Sequence, residues 1–535
     1  MVGSSKATRA RAIAGALVAG SVLAACAPVD APGQEGEGDE AADTGTDSED
    51  DGAERGIDED ATLRYGATID ASRLDPHRAS SSTDNVWLWP VYDRLVHISP
   101  DGEAVPGLAE EWEFSDDGEE LTFHLREGVT FHDGEPFNGE AVAANIERGQ
   151  TVEGSAVAAQ LGLIEEVEVM GEHEVVFHLA HADASLPLVL SDRPGAMASP
   201  AAFDEDLDHQ PVGAGMYEVV DHAPDHEVVY ERYDEYWDPE SAAVARLEMT
   251  VMPDDATRLN ALRSGQIDLA SIEPRQIDEA EQQGLVVDVV QTLQLGTMQL
   301  NPENRPEFAD PLVREALHHA IDRNGIAEGV FADEVTPTVQ PFPPDYFATD
   351  PDVGPDLFPH DPDRARELLE EAGYPDGFEF ELYSVTIPSQ LQVAEVLADQ
   401  LTEIGLDVSI RQFEGIVMID RFYGEQDGDA MFMTWGGRPD PSMTIDLLYT
   451  SDSFANPSGL TSEEIEELHS EALATIDEEE RADLLRELSA LVAEDSQSMV
   501  PVYNAVNVAA ANEDVVGLEP WIFIREFRGL GMAAD

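Results

Sequence analysis

Lysine is almost missing from this chain. Among 535 residues there is one, Lys6, so arginine supplies the other 27 of 28 basic side chains, against 112 acids and a formal charge of −84. That balance excludes nucleic acid as a partner, because neutralising phosphates requires clustered Lys and Arg. Dense carboxylates with so little lysine look like the surfaces of proteins from organisms living in high salt, where self-repulsion keeps the fold soluble and mobile ions screen it. Cysteine is equally scarce: Cys26 stands alone, so no disulfide can close within the chain. Long apolar runs are missing as well. Beyond the N-terminal stretch nothing approaches the roughly 18 residues that a membrane-spanning helix needs.

What is present begins with a leader. Lys6, Arg9 and Arg11 precede "AIAGALVAGSVLA", which is too short to span a bilayer. "LAAC", ending at Cys26, resembles a bacterial lipobox. Residues 1–25 are therefore expected to be a lipoprotein signal peptide and Cys26 the lipidated residue; the plain alternative, a simple secretory signal, leaves a lone thiol unexplained. Residues 27–60 hold fourteen acids and one arginine, Arg55. Such a stretch cannot bury enough apolar surface to fold, and 26–60 is expected to be an acidic, disordered tether.

Beyond it, two periodicities interleave and predict an α/β fold of two or more domains. Alternation makes "TLRYGATID" a strand. "DDATRLNALRSG" reads as a helix closed by Gly265, with a strand from Ile267. "DPLVREALHHAIDRNG" predicts a helix capped by Asp310, opened by Pro311 and ended before Gly325, with Leu312, Val313, Ala316, Leu317, Ala320 and Ile321 as its buried stripe. "DPDRARELLEEAG" repeats that grammar with Asp361, Pro362 and Gly373. "FEFELYSV", the helical "LQVAEVLADQLTEIG" and "LDVSIRQF" form a βαβ unit, and "TSEEIEEL" offers a capping box from Thr461 to Glu464.

Several stretches, in order, resemble one family. They include "LDPHRASS" (74–81), the run 91–142 from "VYDRLV" to "FNGEAV", "PVGAGMYEVV" (211–220), "ERYDEYW" (231–237), "FADPLVREALHHAIDR" (308–323) and "WGGRPDP" (435–441). Together they are similar to the large extracytoplasmic solute-binding proteins of ABC importers, the peptide/nickel-type family 5. The resemblance implies a two-lobed, periplasmic-binding-protein-like α/β fold. Lobe I would span 61 to about 290, with an extra subdomain near 96–185; lobe II would span 291–504, and 505–535 would return to lobe I. It implies closure on a ligand that touches both lobes, with no catalysis, cofactor or metal. The implied partners are ABC permease subunits, and the implied state is a lipid-anchored monomer on the extracellular face of the cell membrane. Short peptides are the expected solute. An opine, an oligosaccharide or a metal chelate would fit the same role, and a transporter-independent sensor or chaperone is the reading from another class.

The resemblance also nominates residues. The turn "WGGRPDPSM" would border the ligand from lobe II, with Trp435 as a wall and Asp440 accepting a peptide's amino terminus; the alternative is that Asp440 caps the helix after Pro441. Arg438 would grip a ligand carboxylate or pair with a local acid. Tyr217, Ser80 and Ser81 would line the lobe I side. Dipeptide-type relatives carry an arginine after the strand matching "FEFELYSV", whereas here "TIPSQLQ" follows with none before Arg411, so the resemblance stops short of strict dipeptide recognition. Adjacent His318 and His319 diverge by about 100° on a helix and do not form a metal pair. His132, Trp112 and Trp237 sit in structural motifs, and no G-x-S-x-G or H-E-x-x-H pattern supports an enzyme.

Overall fold

A computed structural model describes residues 56–495 and 498–534; the expected signal peptide, Cys26 and the tether as far as Arg55 lie outside the described residues. One mixed sheet of eleven strands runs through the molecule. One half holds Tyr217–Ala223, Glu227–Arg232, Arg246–Val251, Thr62–Ala67 and Leu269–Ser271; the other holds Ala430–Trp435, Glu379–Val385 and Asp407–Phe413. Two long antiparallel strands, Val286–Leu300 and Met499–Ala511, join the halves, and the short Thr336–Pro337 pairs beside the second. Their register slips between Gln291 and Leu295 and again between Gly296 and Thr297.

The cores change over where the strands slip. Val508 and Ala510 pack with Leu259, Leu262 and Ile267, whereas Met298, Leu300, Val500 and Val502 pack with Val313, Leu317, Leu382 and Leu401. The first side is called lobe I below and the second lobe II. In lobe II, Glu379–Val385 and Asp407–Phe413 pair in parallel, and the helix Pro388–Glu403 supplies the crossover that parallel neighbours need. Lobe I carries a second, four-stranded antiparallel sheet, Ala109–Phe114, Glu120–Leu125, Glu174–Leu179 and Ile164–Gly171, packed on the helix Gly139–Thr151 through Phe123, Phe177, Val142 and Ile146.

Local signals placed most elements. Asp310 caps Pro311–Ala320 and Asp361 caps Pro362–Glu371, each accepting from a backbone N–H of the first turn. Two expectations shift. Gly325 does not follow a helix end: the helix stops at Ala320, and Asp322 caps a new one, Arg323–Phe331, by accepting from Gly325 N. The helix Glu463–Ala474 is capped by Ser462, accepting from Ile465 N, not by Thr461.

The C-terminus packs against lobe I. Trp521 and Phe523 meet Ile98 and Leu188, and Phe527 and Leu530 enter the core around Tyr65 and Trp87. Charge joins them. Glu526 takes Arg94 at 2.7 Å and Arg528 at 2.6 Å, and all but Arg528 are essentially inaccessible. Arg528 also donates to His97 Nδ1, which leaves His97 Nε2 to donate to Asp93 as a neutral ring. Asp93 further accepts from Tyr236 (3.0 Å) and Trp237 Nε1 (2.7 Å).

Candidate functional site

The strand Ala430–Trp435 ends at the lobe boundary, and the chain turns through Gly436–Pro439 into the helix Pro441–Tyr449. Space dictates the glycine pair. A Cβ on Gly437 would stand 2.3 Å from Leu293 Cβ, and one on Gly436 would stand 2.8 Å from Ser82 Oγ of lobe I. The lobes thus meet across this turn. Nearby, Ala184 N donates to Leu473 O at 2.7 Å, and Met443 packs against the extra layer of lobe I.

Asp440 lies just behind the turn. The sequence reading assigns it to a ligand ammonium. In the structure it is the helix N-cap, with no exposed surface, accepting from Ser442 N at 2.8 Å and from Arg481 at 2.7 Å. Its Oδ2 has no partner. Burial works against the Arg481 guanidinium, but Asp440 outweighs it and its pKa rises; burial raises that of Asp183, across the boundary.

Arg438 is different. It is partly buried, no acid or acceptor among the described residues lies within bonding distance of its guanidinium, and the charges acting on it are Asp192 and Arg193 of lobe I. Burial pulls its pKa below the usual arginine value. Asp192 Oδ1 already accepts from Asn85 Nδ2 (2.9 Å) and Arg193 N (2.7 Å), and Arg193 reaches Ala79 O. Asn85 Oδ1 and Arg193 Nε beside Asp192 are buried without hydrogen-bond partners, as is Trp435 Nε1 at the end of the strand. Trp435 stands 5.9 Å from Tyr423, ring to ring.

The lobe I nominees divide. Ser80 is exposed, while Ser81 caps a short turn through Thr83 N and Asp84. Tyr217 is 1% exposed, within the lobe I core, and its N–H holds Pro90 O at 2.8 Å. Sequence reasoning missed Ser82, Asn85, Asp192 and Arg193. The "SDRPG" of 191–195 carried the usual marks of a turn, and nothing local says that it faces residue 438. The histidines have structural partners: His318 and His319 pack on Phe358, and His132 donates to Gly215 O at 2.9 Å. Among the described residues no group of three or more His, Cys, Asp or Glu could hold a metal ion, and no helix is long and apolar enough to cross a membrane. Two surface hollows of about 580 and 460 Å³ open on lobe I away from this turn, lined respectively around Asp117 and Glu120 and around His132 and His222.

Comparison with known proteins agrees with the two-lobed geometry. The chain is 28% identical to the glutathione-binding protein GsiB of Salmonella typhi, over 86% of this chain and 92% of the relative. It is 27% identical to heme-binding protein A of Haemophilus influenzae, over 80% and 84%. The dipeptide-binding protein of a Pseudoalteromonas species, solved with Met-Leu, superposes with a TM-score of 0.77 at 26% identity, covering 88% of this chain and all of that one. Residues 103–456 match the model described as bacterial extracellular solute-binding proteins, family 5. With that match spanning well over half its length, the chain belongs to the family 5 bacterial extracellular solute-binding proteins.

Proposed function

We propose that this protein captures short peptides between its lobes and hands them to ABC permease subunits, and that a lipid on Cys26 holds it at the outer face of the membrane. The observation that carries the reading is the boundary itself: Arg438 of lobe II has no pairing acid within bonding distance among the described residues, and Asn85 Oδ1 and Arg193 Nε of lobe I, beside the Asp192 that acts on it, are buried without hydrogen-bond partners. Buried polar groups without partners are costly, so a solute that completes them favours the closed state. Two of the relatives above are named for peptide ligands, glutathione and a dipeptide, which supports a peptide; the third is named for heme. In this proposal Ser80, Ser81, Trp435 and Arg438 touch the solute. Tyr217 and Asp440 act through the packing of their loops, since each is fully enclosed. The protein performs no chemistry on what it binds. Its acid-rich, lysine-poor surface suits a high-salt medium, and the acidic tether keeps the body away from an anionic membrane surface.

Mass spectrometry of the solute released on denaturing freshly purified protein tests this: peptides are expected, and a sugar, an opine or a metal chelate would replace them as the cargo. Cys26→Ser should release the protein from the membrane fraction, and a variant that still sediments with membranes removes the anchor.

A further inference from the structure

Arginine is how this chain answers its own acids, and Arg438 is left over. Among the described residues, Arg438 and Arg78 are the arginines whose guanidinium has neither an acceptor nor an acid within bonding distance. Arg438 is the one set at the lobe boundary, beside a second guanidinium, Arg193, that is 4% exposed. The one carboxylate acting on Arg438 is Asp192, 1% exposed and already engaged by Asn85, by Arg193 N and, at 3.7 Å, by the Arg193 guanidinium. The patch therefore carries one formal positive charge more than it can neutralise. A desolvated charge without a partner is unfavourable, and the planar fork of arginine matches a carboxylate. In a chain of −84 an excess of positive charge at a closing boundary is not background. We infer that the captured solute presents an anionic group, a carboxylate where it is a peptide, to Arg438, with Arg193, whose Nε lies 3.7 Å from Asp192 Oδ1 and makes no hydrogen bond, on the same patch. This rests on the interlobe reading above and narrows it: the chain repels anions at long range, so recognition must be local, and molar salt should assist it by screening.

The test is calorimetry in molar NaCl with trialanine, its C-terminal amide, and Ala-Ala-Glu amide, on the wild type and on Arg438→Gln. At least one carboxylate-bearing form should bind the wild type about tenfold or more tighter than trialanine amide, the scale of a charge-assisted pair. Which of the two binds assigns the carboxylate to the chain end or to a side chain. Arg438→Gln should erase that preference, while the ligand-free melting temperature does not fall. Equal binding of all three forms, or equal weakening of all three in the variant, overturns the inference and leaves peptide capture standing. If none binds, the peptide reading fails by itself and the anion is tested with succinate. A wild-type melting temperature raised by succinate and unmoved in Arg438→Gln supports the inference; no rise in the wild type overturns it.

Discussion

Two clusters of buried charge in this molecule use the same residue types and end differently. Around Glu526, two arginines, two acids and a neutral histidine close on one another. Burial opposes the charge on Glu526, yet Arg528 and Arg94 hold its carboxyl down to about 2. At the lobe boundary Asp192 meets two guanidiniums, and the second has no pairing acid within reach. The contrast teaches that burying charge is not itself the mark of a site, because a fold buries charge to tie a terminus down as readily as to hold a ligand. Leaving one charge unanswered, where two halves meet, is the mark.

The contrast can be broken most forcefully from the structural side. Glu526→Gln leaves Arg94 and Arg528 buried without their acid, and the folded state should lose about 3–5 kcal/mol in denaturant unfolding at fixed molar salt. Solute affinity should not change. A variant as stable as the wild type would mean that the apolar contacts of Trp521 and Phe527 alone secure the C-terminus.

Asp440→Asn asks on which side of the contrast the turn falls. Asparagine still caps the helix, but Arg481 loses its counter-charge, so the ligand-free protein should lose about 3 kcal/mol, the lower end of the range for opening a buried pair. An unchanged melting temperature with weakened binding of a free-amine peptide would move Asp440 to the ligand.

Acid should erode the closed cluster first. Burial, with Arg528 beside it, lowers His97 to about 4 from its ordinary 6.5, so the unfolded chain binds the proton more readily. Its contribution is complete above about pH 6.5 and declines as pH falls through 4, by up to about 1.4 kcal/mol per unit. Unfolding measured at pH 7 and pH 5 in molar salt reads that loss; His77 and His132, each also held to about 4 by burial, add to the slope, and Asp183, raised by burial, works against it. A flat profile over that window would mean these rings accept protons in place.

The smallest expected effect is the sharpest. Arg438→Gln removes a charge that burial disfavours and that no acid among the described residues pairs within bonding distance, so ligand-free stability should hold or rise slightly, by less than about 1 kcal/mol. A loss like that of Glu526→Gln would place Arg438 among the structural arginines.

Much of the fold was legible because its signals are local. Asp310 before Pro311 and Asp361 before Pro362 announce helix starts by chemistry contained in a few residues. The misplacements are equally local: Gly325 has the composition of a helix end, but Asp322 restarts the helix three residues earlier, and Thr461 and Ser462 are both competent caps. The site was less legible. "WGGRPDPSM" announces a rigid turn without saying which of its charges is spent, because Arg481 lies 41 residues beyond Asp440. Nor can alternation or capping show that Asp192 and Arg193 act on Arg438, since only the packing of one lobe against the other brings them together.

The two long strands that join the halves have a mechanical consequence. Each link between the lobes is the middle of a paired strand, so opening the protein deforms a hydrogen-bonded ribbon and does not merely swing a loose loop. A ribbon keeps its length and resists sliding, but it bends and twists where its ladder is interrupted, here at 291–295 and 296–297. The jaws accordingly have one soft direction of travel and little play in the others, as on a leaf spring. In the proposed function, every closure would bring residue 438 back to the same partners across the gap, and a solute would be gauged each time against the same fixed ruler.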